Sequence, residues 1–333
     1  MTVDGSPADA VAIVGQSRDQ HVAIVREKVE ALGVRCLMLD EELEGFRLTY
    51  ADSAVTVETQ IDGTWVRLNT VRAVWWWRKE TTLVHSRSDD FTTDFALREH
   101  RELLESLEGL IPTAAWPIRP SAVRTASLKA YQLALAQQLG FAIPTTIITN
   151  DADSVAQFVE AEPGTFPGQR LLYKPLTWYV GRPDKFLYAN LVTLDDVTSS
   201  SLSVAAAPCQ FQEYVDKDYE LRVTVVGNQC FPVRVNSQSQ LETMVDFRRS
   251  QELVSYELWE LSADLTARLL LFLHRCGLDF GAFDLIVKPD GSVVFLELNP
   301  VGQWLWLEHK LGIDISGAVA RLLVTESTEA ALR

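Results

Sequence analysis

The sequence predicts an α/β (α+β) protein of two or three packing units, on three observations. Its 333 residues exceed what one small core organises. Residues 11–39 read as strand, helix and strand, with Gly33 closing the helix, which is a βαβ start. Residues 282–288 and 292–298 are apolar runs on either side of Pro289-Asp290-Gly291, a strong hairpin signal.

Composition narrows the function. The apolar share of 47% is ordinary for a globular protein, whereas the net charge of −15 argues against general nucleic-acid or anionic-membrane binding. An acidic substrate would need local arginines. Cys36, Cys209, Cys230 and Cys276 are far apart with no Cys-x-x-Cys pair, the pattern of reduced thiols in a cytoplasmic protein rather than of a disulfide framework or zinc site. Histidines such as His85 and His100 lack paired metal spacing and read as surface or packing residues. Neither a signal peptide nor an apolar run of membrane-spanning length is expected.

In chain order, residues 1–9 read as a disordered leader. Only Gly15 follows the first strand, so the G-x-G-x-x-G of a nicotinamide site is missing. Residues 54–58 and 65–68 form a hairpin around Asp62-Gly63, and residues 71–77 a strand carrying Trp75, Trp76 and Trp77 before Arg78. Three tryptophans suit a stacking platform or a strand packed on both faces; the acidic chain favours packing. A helix at 93–110 and a proline-broken linker at 111–120 end the first unit. One helix is expected over 121–139, with Gly140 at its C-cap, then a strand over 141–150. The apolar strand 171–176 is interrupted by Lys174, whose ammonium must find an anion. A strand at 189–192 and a loop or helix at 194–204 lead to strand 211–215. Strand 219–226 places Glu220 and Arg222 on one face, strand 231–235 carries Arg234, and helices follow at 262–276 and 313–324. A surface ion pair is the plainer explanation of Glu220 and Arg222.

A two-residue Asp290-Gly291 turn sets Asp284 opposite Glu297, with Asn299 on the Glu297 face. Opposed carboxylates repel and are costly to bury in apolar strands. A hard cation removes the conflict, and Asp284, Glu297 and Asn299 offer the oxygen ligands Mg²⁺ prefers. An edge hairpin with its acids in water is the alternative.

Asp284 followed by Glu297-Leu298-Asn299-Pro300 resembles the metal-binding end of ATP-grasp ligases. The longer string FLELNPVGQWLWLE, residues 295–308, resembles the ATP-grasp ribosomal peptide maturases that cyclise microviridins and other graspetides. The resemblance runs from about residue 11 to the C-terminal helix. It implies an ATP-grasp fold whose two subdomains, 121–210 and 211–333, sandwich the nucleotide, preceded by a βαβ pre-ATP-grasp domain at 10–120. Lys129 and Lys174 would then reach the phosphates of ATP, and backbone groups of Glu213, Tyr214 and Val215 would face adenine. The stretch from Thr177 past Gly181 would be a loop closing over phosphates. One or two Mg²⁺ would sit on Asp284, Glu297 and Asn299, while Arg222 and Arg234 orient and stabilise the reacting carboxylate. Glu220, Arg248, Gln303 and Trp304 would border the substrate, although apolar packing explains the 303–308 stretch equally well. The chain departs from the pattern at Glu220, where an Asp is usual, and at Trp116-Pro117-Ile118, which lacks an Asn before Pro.

The implied reaction is ATP-dependent macrocyclisation of a ribosomal precursor peptide with a leader and a core rich in Ser, Thr, Asp and Glu. Side-chain carboxylates would be joined to Ser or Thr hydroxyls, or to Lys amines. The alternatives are an ATP-grasp ligase adding a free amino acid and a non-catalytic nucleotide-binding partner. No nucleic-acid or membrane partner is expected, and a homodimer is compatible with the sequence.

Overall fold

Strand β1 (Ala10–Val14) is buried along its whole length, as a continuously apolar run in a parallel sheet should be. Helix α1 (Gln20–Ala31) carries the chain to β2 (Arg35–Leu39), which pairs with β1 in parallel. Asp19 caps α1 by accepting from the His21 N–H, satisfying a first-turn donor. This computed structural model describes residues 10–40, 45–51, 54–77, 91–177 and 189–325. The leader at 1–9, Arg78, His85 and the loop from 178 through Gly181 lie outside the described residues.

The expected hairpin is β4 (Ala54–Ile61) and β5 (Thr64–Arg67), joined at Asp62-Gly63. It gains a third strand, β3 (Phe46–Ala51), whose mostly exposed residues gave no core signal. Strand β6 (Ala73–Trp76) returns beside β1, and helix α2 (Phe91–Leu110) leads to β7 (Ala115–Ile118). The resulting sheet order is β2-β1-β6-β7. Residues 111–120 are therefore not only a linker. Pro117 is tolerated because β7 is an edge strand. All three tryptophans are buried, with Trp75 and Trp77 stacked at 5.2 Å, so they pack rather than offer a platform.

The single helix expected over 121–139 is two, α3 (Pro120–Ala126) and α4 (Lys129–Gln138). Side chains compete for the α3 carbonyls at the break: Ser127 Oγ donates to Val123, and Gln132 Nε2 to Ala126. Lys129 thus starts a helix instead of riding on one.

A second, antiparallel sheet follows. It holds β8 (Thr146–Thr149), β9 (Arg170–Lys174), β10 (Asn190–Thr193) and β11 (Cys209–Gln212), in the order β10-β9-β11-β8. Helices α5 (Ala152–Ala161), α6 (Leu194–Ser199) and α7 (Ser201–Ala205) accompany it. Leu171, Phe211 and Tyr173 join a separate core there; the alternation of a strand turns Lys174, Gln210 and Gln212 to the opposite face.

The third sheet runs β14-β13-β12-β15-β16. Its strands are β12 (Tyr219–Val226), β13 (Gln229–Val235), β14 (Tyr256–Leu258), β15 (Phe280–Val287) and β16 (Val293–Asn299). Helix α8 (Ala263–Cys276) is capped by Ser262 and packs Phe272 against Phe283 and Phe295. Helices α9 (Leu305–Leu311) and α10 (Ile315–Thr325) end the described chain. One hydrophobic core spans the parallel sheet, α3, α4 and this third sheet, whereas the second sheet has a core of its own.

Candidate active site

The site is built on the hairpin of β15 and β16, and its register arises from two irregularities that cancel. The turn has three residues, not two: the Lys288 N–H donates to Ser292, the Gly291 N–H donates to Lys288, and Gly291 takes φ +81°. That shifts the pairing by one, giving Leu285 opposite Phe295. Leu296 then bulges out, and Asp284 faces Glu297 as the sequence predicts. Asn299 joins them, its Nδ2 donating to Asp284 Oδ2 at 3.0 Å.

Cations converge on this pair from three elements. Arg222 on β12 lies directly opposite Asp284, and its Nη1 donates to both carboxylate oxygens at 2.9 and 3.0 Å. Arg248 chelates Asp246 through Nε and Nη2, each at 2.8 Å, and extends Nη1 to 3.5 Å from Glu297 Oε1. Lys129 donates to the Pro175 carbonyl at 2.7 Å, just beyond Lys174 at the end of β9.

The two acids respond in opposite directions. Burial pushes the Asp284 carboxyl up despite Arg222. Glu297 is held low, because Arg248, Lys129, Lys174 and Arg222 together outweigh burial. Burial also lowers both lysines, Lys174 to about 8. Four cations therefore meet three carboxylates, one negative charge short of balance. That deficit fits a polyphosphate. Among the described residues no three His, Cys, Asp or Glu side chains converge. Two carboxylates and an amide nevertheless suit Mg²⁺, whose remaining positions are usually filled by phosphate and water.

Two of the residues expected at the site, Arg234 and Trp304, stand elsewhere, and a third, Glu220, is engaged by other partners. Arg234 pairs in register with Leu221, not Arg222, so alternation sends it to the opposite face of the sheet. There it lies over the Tyr219 ring at 4.0 Å and donates to Asn236, apart from the cationic wall with Arg222 and Arg248. Trp304 is fully buried against Trp77 and Phe280, and its indole N–H donates to Ser316, so it packs and does not border a substrate. Glu220 shares the Arg222 face, but its Oε1 takes both Lys217 Nζ at 2.6 Å and Ser237 Oγ at 2.9 Å, so its charge is engaged by Lys217 rather than by Arg222. Gln303 lies at the site: its side chain is exposed and its carbonyl accepts from Arg222 Nη2 at 3.3 Å.

Residues 213–218 link the second sheet to the third without joining a ladder. Glu213 is tied to Thr145 through both its N–H and its carboxylate. Val215 caps an apolar patch with Ile286, Val294 and the bulged Leu296, a floor suited to a flat heterocycle.

Sequence reasoning missed two glutamines here. Gln132 joins α4 to β16 through both ends of its amide. Gln212 is 1% exposed and donates Nε2 to Thr146 Oγ1, while that hydroxyl donates to Pro144. The amide orientation is thereby fixed, and the Gln212 carbonyl oxygen is left buried without a partner among the described residues. Polar residues in apolar runs were the available signal, as for Lys174.

No protein-family model and no curated protein matches the sequence. Solved structures do. The chain is similar to the macrocyclase MdnC of Microcystis aeruginosa MRC, bound with precursor peptide MdnA, at 29% identity and TM-score 0.81, covering 95% of this chain and 99% of that one. Macrocyclase MdnB of the same organism aligns at 26% identity and TM-score 0.75, covering 95% and 99%. A Chryseobacterium gregarium RiPP-associated ATP-grasp ligase, in complex with ADP and a leader and core peptide, aligns at 24% identity and TM-score 0.83, covering 96% and 97%. The fold is that of an ATP-grasp ligase. Within that class the chain is similar, over nearly its whole length, to the RiPP-associated ATP-grasp maturases.

Proposed function

We propose that this chain is an ATP-dependent macrocyclase of a ribosomally made precursor peptide. The observation that carries this is the convergence of Lys129, Lys174 and Arg248 on Glu297, beside the Arg222–Asp284 pair, in a chain similar over nearly its whole length to MdnC.

A carboxylate does not condense with a hydroxyl or amine at neutral pH, because oxide is a poor leaving group. Transfer of the γ-phosphoryl group from ATP to an Asp or Glu side chain of the peptide gives an acyl phosphate and ADP. A Ser or Thr hydroxyl, or a Lys amine, of the same peptide then attacks the carbonyl carbon, its proton is lost, and phosphate leaves. Lys129 and Lys174 hold phosphate oxygens. The Val215 patch and the backbone at 213–215 take adenine, whose exocyclic amine supplies the donor that Gln212 lacks. Arg222 holds the acceptor carboxylate, a role for which a planar guanidinium is suited. Mg²⁺ on Asp284, Glu297 and Asn299 would neutralise charge on the phosphates. Gln303 and Arg248 line the peptide side.

The peptide core would be rich in Ser, Thr, Asp and Glu, its acids drawn to the arginines of an otherwise acidic chain. No helix among the described residues is long and apolar enough to cross a membrane, and the four cysteines are unpaired. Both features support a cytoplasmic enzyme, and the reading leaves room for a homodimer.

The deciding experiment incubates the protein with Mg·ATP and the precursor peptide, then weighs the peptide. Loss of one water per ring, with fragment ions missing inside the core, is the expected result. Gain of a residue mass would instead establish ligation of a free amino acid, and an unchanged peptide would overturn the macrocyclase reading.

A further inference from the structure

His21 is a buried histidine in the first turn of α1, 6% exposed, to which the reading above gives no task. Its Nδ1 lies 3.1 Å from Asp19 Oδ1, and its Nε2 lies 3.2 Å from the Trp304 nitrogen and 3.4 Å from that of Leu305. Both of those groups are backbone N–H donors. Nε2 must therefore present its lone pair, which places the ring proton on Nδ1 against Asp19. The Trp304 ring packs edge-on to the imidazole at 4.7 Å, and Trp77 tilts over it at 5.2 Å, so the ring has little freedom to turn.

The backbone that His21 holds is the one that holds Arg222. Gln303, immediately before Trp304, gives its carbonyl to Arg222 Nη2. Arg222 Nε is buried without a partner among the described residues, and Nη1 is taken by Asp284. The Gln303 carbonyl is thus the anchor left to Arg222 once Asp284 turns toward a cation. Contact is close: a Cβ on Gly302 would stand 2.7 Å from Arg222 Nη2 and 2.5 Å from the Ala282 Cβ. A shift of residues 302–305 by a fraction of an ångström must move the guanidinium.

We propose that His21 is a positioning residue for the catalytic centre. As the neutral imidazole protonated on Nδ1, it fixes the 303–305 backbone and, through the Gln303 carbonyl, sets Arg222 against Asp284. This rests on the ATP-grasp reading of the site. It makes the N-terminal unit part of the machinery, although His21 itself touches neither nucleotide nor peptide.

The test has two arms. Nitrogen-15 histidine spectra of the full chain near neutral pH should show His21 protonated on Nδ1; protonation on Nε2 overturns the proposal. Calorimetry with ADP and Mg²⁺ as probes then reads the consequence. His21→Leu should weaken Mg·ADP binding about tenfold, and His21→Gln, whose amide oxygen can stand where Nε2 stands, should recover most of it. Asp19→Asn keeps an acceptor for the α1 cap but removes the carboxylate charge that holds the Nδ1–H. It should weaken binding about threefold with an unchanged melting temperature, and it decides the matter if His21→Leu does not fold. Wild-type binding in His21→Leu, or in Asp19→Asn if that variant decides, overturns the proposal, as does a His21→Gln as weak as His21→Leu. Absence of Mg·ADP binding in the wild type would overturn the ATP-grasp reading instead, and the tautomer spectrum would still judge the His21 geometry.

Discussion

The side-chain amide of Gln132 accepts from the Leu298 N–H and donates to the Leu298 carbonyl, both at 2.8 Å, as the backbone of a neighbouring strand would. Lys129 stands one helical turn earlier on α4, and Glu297 and Asn299 flank Leu298 on β16. One buried amide therefore sets the distance between a cation and the carboxylate hairpin it faces. Gln132→Leu keeps the volume but orphans both Leu298 groups and the Ala126 carbonyl. We expect a loss of about 2–4 kcal/mol in stability by urea unfolding, summed over the groups left unpaired. Unchanged stability would mean that water replaces the amide.

The opposed acids should not be equivalent. Glu297→Gln removes the shared counter-ion of Lys129, Lys174 and Arg248, and ADP release in the presence of peptide should fall about a hundredfold or more. Asp284→Asn strands the buried Arg222, so it should cost about 3 kcal/mol in folding stability besides activity. Equal melting temperatures for the two variants would contradict that asymmetry.

The facing of Asp284 and Glu297 could be read from Asp-Gly and strand alternation, and so could the charge at Lys174. The compensating pair of irregularities, the Gly291 turn and the Leu296 bulge, could not. Apolar residues at 294–296 satisfy either register equally well. The break between α3 and α4 was hidden for a related reason: helix propensity runs through it, and side-chain bonds from Ser127 and Gln132 to the α3 carbonyls mark the end of the first helix. Trp304 misled because an aromatic residue beside a metal hairpin looks the same in sequence whether it lines a cleft or fills a core. Its burial depends on His21, distant in the chain and close in space.

Arg222 and Arg234 separate the face that does chemistry from the face that packs. The guanidinium of Arg234 sits over Tyr219 and near Trp259, and its Nε serves Asn236. Arg234→Met should lower stability by about 1–2 kcal/mol through the lost ring contacts and hydrogen bond while leaving kcat within about threefold of wild type. Arg222→Met should abolish turnover. A kcat loss for Arg234→Met as deep as for Arg222→Met would restore Arg234 to the catalytic wall and require the face assignment of β13 to be wrong.

Lys174 gives the site a pH signature with two opposite signs. Burial pushes its ammonium down from 10.5 to about 8, against the pull of Glu297. Between those two values the unfolded chain carries the proton and the folded, ligand-free chain does not. The unfolded state binds more protons there, so stability through this group rises with pH across that window and is flat below it. A polyphosphate reverses the preference, because an anion beside the ammonium raises its pKa. Binding should then draw in a proton above pH 8, and ADP affinity should fall by up to about tenfold per pH unit over that range. Calorimetry in buffers of different ionisation enthalpy reads the uptake directly, and it should approach one proton. In Lys174→Met, affinity should be lower at every pH, with this part of the proton uptake gone. An uptake that persists in the variant would assign the titration to another group and remove Lys174 from the phosphate site.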